Sequence, residues 1–381
     1  MTRSLAPGDR DAQGSALTVL SLNLAPIGLG RGNTDLAYMS RLAALGRYSP
    51  INIRFPESRL SDAVETLRFL DRALRHRLRL PPGSGAGFLT PLQERALHAG
   101  RGRLGWDVFY SNSHVPRGDG LGPVVMFDYI HAPAETEDPD AFARDIAAKS
   151  AVAERCAAVQ VSTEAQRRLF VRLGIAADRL HVVPFFMADL AAADEDAVRA
   201  KHARTDALHI AFVGHQARRK GLPALLSALR DPLLVDVPLK LTIVSRFLDG
   251  DVPLPDDPRI TRHVTLPHAG VLKLLEQTQV LAVPSRRETF GLVYIEAMAA
   301  GCACVMAAGP QQFDISDGGR AGLPVGPDPA GLARALRRLA EDAAHRNELA
   351  LAALARFRDI YAPDQVAAAH ARMFRAARAR A

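Results

Sequence analysis

The chain is predicted to fold as an α/β protein made of two Rossmann-like, parallel-sheet domains. Three observations predict this. Short apolar runs alternate with helix-favouring stretches from one end to the other, the pattern of strands covered on both faces by crossover helices. The 381 residues suffice for two domains of ordinary size. The stretch from Val280 to Gly301 reads as a buried strand, a polar loop and a short helix stopped by glycine, an arrangement that aims free backbone N–H groups at an anion.

In order, residues 1–16 form a polar, loose tail without the apolar core of a secretion signal. Residues 17–24 are the first strand. The following loop holds Gly28, Gly30 and Gly32; it suits a phosphate cradle or a plain tight turn equally, and does not fit G-x-G-x-x-G. A helix over about 35–45 follows, with Thr34 as its cap. Residues 51–55 are a second strand. Residues 61–80 are an amphipathic helix with an apolar stripe of Leu67, Leu70, Leu74 and Leu78 and the arginines Arg68, Arg72, Arg75 and Arg79 off it. Its basic face reads as solvated, with an anionic membrane surface as the sharper alternative. Residues 81–87 are a flexible loop.

Strands follow at 106–111 and 123–130, the second running into Tyr129-Ile130-His131-Ala132-Pro133. Its position after a strand makes His131 a candidate site residue. A helix spans 138–156, and Asp138-Pro139-Asp140 at its start reads as a cap rather than a metal pair. A strand at 157–162, a helix at 163–173 and the apolar segment 181–186 close the first half. The alanine-rich, charged residues 191–206 read as an interdomain linker.

The second half opens with a strand at 208–214 and the basic loop His215-Gln216-Ala217-Arg218-Arg219-Lys220-Gly221. A strand-end loop is where an anion meets a parallel sheet, so Lys220 with Arg218 or Arg219 is a phosphate candidate. Strands at 239–245 and 260–266 precede Pro267-His268 and a short helix. The stretch 280–301 and a strand at 303–307 come next. Residues 309–319 read as a loop, and helices are expected at 329–340, 343–356 and 363–379.

Composition narrows the partners. The content is 48% hydrophobic and no run of about 18 apolar residues occurs, so no membrane span is expected. Cys156, Cys302 and Cys304 lack metal-site spacing and fit a reducing cytoplasm, with Cys302 and Cys304 on one face of a buried strand. The net charge of +7 favours an anionic partner: nucleotide, phospholipid or nucleic acid. Dispersed arginines and few aromatics rank a nucleic-acid-binding protein last.

The string Pro284-Ser285, Glu288, Phe290-Gly291-Leu292, Glu296 and Ala297-Met298-Ala299-Ala300-Gly301 resembles the signature of family 4 retaining glycosyltransferases. Thr289 stands where that family has glycine, and Pro184-Phe185-Phe186 replaces its usual Pro-Asn-Gly. The resemblance implies the GT-B fold, two Rossmann-like domains facing each other across a cleft. The acceptor domain would be 17–190 and the donor domain 191–362, with residues 363–381 a helix crossing back. It implies metal-independent transfer of a hexosyl group from a nucleotide-diphosphate sugar, with no further cofactor. By the same resemblance, Lys220 with Arg218 or Arg219 would hold the diphosphate, joined by the amides at Phe290, Gly291 and Leu292. Glu288 would contact the donor sugar or adjoining phosphate, and Glu296 the ribose. Gly30 would lie near the donor phosphates, and His131 in the sugar pocket. The acceptor stays open among lipid, polysaccharide, protein and small metabolite. The expected location is the cytoplasm, with the inner membrane face as a place of contact. The alternative is a nucleotide-sugar-binding protein without turnover.

Overall fold

A computed structural model describes residues 17–22, 49–53, 89, 91–112, 115–127, 150–187, 189–246 and 252–380. In chain order the first elements are β1 (Thr18–Leu22), β2 (Ser49–Ile53), α1 (Pro91–Leu104), β3 (Val108–Asn112), β4 (Val124–Phe127), β5 (Ala158–Val161), α2 (Glu164–Arg172) and β6 (Leu180–Val182). Next come α3 (Glu195–His202), β7 (Leu208–Val213), α4 (Leu222–Ala228), β8 (Leu239–Val244), β9 (Ile260–His263), α5 (His268–Gln277), β10 (Val280–Val283), α6 (Leu292–Ala299) and β11 (Ala303–Met306). The chain ends with α7 (Pro310–Ile315), β12 (Leu323–Pro324), α8 (Pro329–Glu341), α9 (Ala343–Arg356) and α10 (Pro363–Ala379). Two compact units result, residues 1–188 with 366–381, and residues 189–365.

Each unit is built on a parallel sheet that is six-stranded among the described residues. In the first the order is β2-β1-β3-β4-β5-β6. Side chains alternate between the two faces of a strand, so successive residues enter different cores. Val19, Val108 and Val125 pack on one face with Val366, Met373 and Phe374 of α10. Their neighbours Leu20 and Phe109 pack with Leu97 and Trp106 on the other, and Met126 joins Val159 and Phe170 there. Burial on both faces is why these strands read as continuous apolar runs.

Tyr110 and Gln160 carry a short chain of hydrogen bonds through this core. The Tyr110 hydroxyl donates to Gln160 Oε1 at 2.9 Å, and Gln160 Nε2 donates to the Val183 carbonyl at 3.0 Å. His370 of α10 is completely buried, its Nδ1 2.9 Å from the Val366 carbonyl, and burial pushes its pKa down to about 4.

In the second unit the strand order is β12-β11-β10-β7-β8-β9. The chain leaves β7 toward β8 on one side and later returns to pair β10 on the other. The crossover direction therefore reverses between β7 and β10. In open parallel sheets the crevice at such a switch point, beyond the carboxyl ends of the strands, is where ligands bind.

Two expectations are corrected here. Residues 191–206 are no linker: α3 lies within them, its Asp194 cap accepting from the Asp196 and Ala197 amides. Val198, Lys201 and His202 are buried against the second unit, which holds the segment in place. Residues 309–319 contain α7, opened by Pro310 at a position where a missing N–H costs nothing. Helix α1, unforeseen in the sequence, covers the first sheet through Leu97. The expected helices at 35–45 and 61–80, and the basic face of the latter, lie outside the described residues. No helix among the described residues is long and apolar enough to cross a membrane.

Candidate functional site

The carboxyl ends of β7 and β10 carry two loops, 214–221 and 284–291, locked together by glycine. Gly221 has a φ of +83°, and a Cβ there would fall 2.1 Å from the Pro284 carbonyl oxygen. A side chain at this position would drive the two loops apart. Lys220 lies flat over Gly214, where an added Cβ would come within 3.0 Å of its Cγ. The Arg219 carbonyl accepts from the Arg286 amide at 2.8 Å, and the Arg219 side chain donates to Gln216 Oε1 and to the Arg287 carbonyl at 2.6 and 2.9 Å. Arg219 therefore clips the loops, while Arg218 is exposed on the same turn.

Across this junction Lys220 Nζ and Glu288 Oε2 form a close ion pair, with side chains 12% and 6% exposed. Ser285 Oγ donates to the same carboxylate oxygen at 3.1 Å. Ser285 thus adds a hydrogen bond to a largely buried ion pair, the kind of support such a pair needs to offset its desolvation.

Gly291, with a φ of +87°, caps α6. A Cβ there would lie 2.5 Å from the Tyr294 ring. Tyr294 is fully buried; its hydroxyl donates to the Val283 carbonyl at 2.7 Å and accepts from the Ala307 amide at 3.3 Å. Burial drives its phenol pKa well up, so it stays a neutral peg between β10 and β11. The start of α6, the positive end of the helix, is thereby fixed beside the Lys220–Glu288 pair. The Phe290 ring is core, edge-on to Tyr361 at 6.2 Å between centroids, and its carbonyl accepts from Gln312 Nε2 at 3.3 Å. Only its backbone is suited to a ligand.

Glu296 lies one turn further into α6. Its Oε1 is 3.0 Å from Nε2 of His268, the first residue of α5. The Glu296 hydrogen bond, with help from Asp189, holds the His268 imidazole above its ordinary pKa.

The structure thus gathers Lys220, Arg219, Arg218, Glu288, Phe290, Gly291, Leu292 and Glu296 on two loops and one helix of a single unit. His131 and Gly30 lie outside the described residues, as does Asp138-Pro139-Asp140. Sequence reasoning missed His268. It also missed His215, whose Nδ1 accepts from the Arg246 amide at 3.3 Å and ties the β7 loop to the end of β8. No spacing in the chain announces either pairing.

Within this unit, residues 207–342 match the family model described as Glycosyl transferases group 1. The D-inositol 3-phosphate glycosyltransferase 1 of Catenulispora acidiphila is 32% identical over 238 residues, 57% of each chain. The glycogen synthase of Mycobacterium tuberculosis is 32% identical over 187 residues, 47% of this chain and 45% of that one. The chain thus spans about half the length of these relatives. Among solved structures, Anabaena HepE in complex with UDP superposes with a TM-score of 0.62 at 15% identity, covering 94% of this chain and 99% of that one. The chain has the GT-B fold. Sucrose-phosphate synthase from Thermosynechococcus elongatus shares it, with a TM-score of 0.58 at 23% identity, covering 75% of this chain and 77% of that one. GT-B describes the architecture of both sheets; the family match covers the unit that holds the two loops and α6.

Proposed function

We propose that the chain is a retaining glycosyltransferase that moves a hexosyl group from a nucleotide-diphosphate sugar to an acceptor, without a metal. The observation that carries this reading is the Lys220–Glu288 pair beside the glycine-capped start of α6, at the switch point of a unit matching group 1 glycosyltransferases.

In such a transfer the anomeric C–O bond to the diphosphate breaks and negative charge grows on the leaving group. Lys220 and the amides at the start of α6 would stabilise it as fixed, preorganised charges. Glu288, held by Lys220 and Ser285, would accept from the sugar hydroxyls or face the adjoining phosphate. Glu296 would accept from the ribose. Retention follows if the acceptor oxygen attacks from the face the diphosphate leaves, its proton passing to the departing phosphate oxygen. His131 is the residue we assign to assist at the acceptor. Anabaena HepE has been seen in complex with UDP and with UDP-glucose, which makes a uridine nucleotide the first donor to test.

The test is release of nucleoside diphosphate from UDP- and GDP-sugars, with a panel of lipid, glycan and small polyol acceptors. Turnover by the wild type, lost in Lys220→Gln and Glu296→Gln proteins that keep their circular dichroism, is the expected result. Full turnover in both variants would refute the site.

A further inference from the structure

The contact between Glu296 and His268 goes beyond the assignment of Glu296 to the ribose. We propose that His268 is a positioning residue: it fixes the plane of the Glu296 carboxylate for the ribose diol and makes nucleotide affinity depend on pH. This rests on the donor-site reading above and adds the group that sets the geometry and pH response of that site.

The geometry gives the argument. A Glu carboxylate turns about a broad, two-fold terminal torsion, so an untethered one presents its oxygens in many directions. Here Oε1 is held at 3.0 Å by His268 Nε2. Among the described residues Oε2 has no hydrogen-bond partner, which leaves it able to accept from a ligand. The anchor is itself rigid. Pro267 precedes His268, and the Pro267 carbonyl accepts from the Gly270 and Val271 amides at 2.8 and 3.1 Å, closing the first turn of α5.

Exposure separates the two partners. The Glu296 side chain is 11% exposed and that of His268 is 53% exposed. The carboxylate sits in the protein while the imidazole exchanges protons freely with solvent. The charged groups acting on His268 are Glu296 from α6 and Asp189 from the segment before α3; both are acidic, and both favour the imidazolium. Below its raised pKa, His268 is charged and its bond to Glu296 is charge-assisted, about twice as strong as a neutral one. As pH rises through that pKa the charge is lost, the tether weakens, and the carboxylate regains its rotation. Nucleotide affinity falls over the same range.

The experiment is calorimetric titration of UDP and GDP into wild type, His268→Ala and His268→Gln from pH 6 to pH 9. Gln places an uncharged donor near the position of Nε2. His268→Ala is expected to weaken binding about tenfold at pH 6, the effect of losing a hydrogen bond to a charged group. His268→Gln is expected to recover only part of that affinity at pH 6. The ratio of wild-type to His268→Gln affinity removes the titration of the nucleotide's own phosphate, and it should fall several-fold between pH 6 and pH 9. A His268 proton resonance that titrates above 6.5 in the wild type, and lower in Glu296→Gln, would support the same coupling. Two outcomes overturn the proposal. If His268→Ala binds nucleotide as the wild type does, with the same pH profile, the tether is irrelevant and the donor site stands. If the wild type binds neither nucleotide at any pH, the donor-site reading falls and this inference falls with it.

Discussion

The two ends of α6 hold charged side chains against the same helix, and they are built in opposite ways. At its end, Lys201 is buried and donates from Nζ to the Ala300 carbonyl at 2.7 Å, with the Leu275 carbonyl at 3.5 Å. His202 Nε2 lies 2.9 Å from the Gly301 carbonyl, and burial pushes its pKa down to about 4. A cation at the negative end of a helix, bonded to its last carbonyls, closes that end. At the start, Lys220, Glu288 and Glu296 meet the positive end, and the partly exposed His268 keeps the site in contact with solvent. The closed end holds α3 to the sheet. The open end has groups left over for a ligand. Burial of charge alone marks neither stability nor function; what separates the two is access to solvent, since Lys201 and His202 are buried whereas the His268 side chain is half exposed.

The largest expected effect tests the open end. Glu288→Gln or Lys220→Gln should lower kcat by about 10²–10³-fold, the scale of losing one preorganised charge, as measured by nucleoside diphosphate release. Either single variant also strands the other charge of the pair in the interior at a cost of about 3–5 kcal/mol, so turnover is compared per folded protein, with circular dichroism reporting the folded fraction.

Acid tests the closed end. His202 is neutral in the folded protein down to about pH 4, whereas the unfolded chain takes up a proton below about 6.5. Stability is then complete above pH 6.5 and is lost as pH falls from 6.5 toward 4. The histidine contributes about 3 kcal/mol to that loss, and His370 adds a similar slope from the first unit. Urea unfolding of wild type and His202→Gln across this range should show a flatter profile in the variant. Identical slopes would place the acid sensitivity elsewhere.

Lys201→Met sharpens the contrast with Lys220. It leaves the Ala300 carbonyl without its donor and should destabilise the second unit by about 2 kcal/mol, read as a lower urea midpoint, while transfer by the folded fraction is unchanged. A loss of turnover without a loss of stability would show that the end of α6 also belongs to the site.

The same contrast explains what could be read from the chain. The strands were legible because parallel strands covered on both faces are apolar throughout, as in Val280–Val283 and Ala303–Met306. The start of α6 was legible because its glycine, serine and glutamates are local in sequence. The end was not. Lys201 and His202 look like solvated residues of a linker until Ala300 and Gly301, distant in sequence, come to meet them. Arg218 and Arg219 are alike as letters, and only the bonds to Gln216 and Arg287 identify Arg219 as the clip. His268 stayed hidden for the same reason: its partner lies on another helix.

Hydrogen exchange with and without UDP tests the central claim most directly. The account predicts that saturating UDP slows amide exchange in residues 215–221 and 286–294 and leaves residues 298–303 unchanged. Bound nucleotide that protects neither loop, or that protects the end of α6 instead of its start, would contradict it.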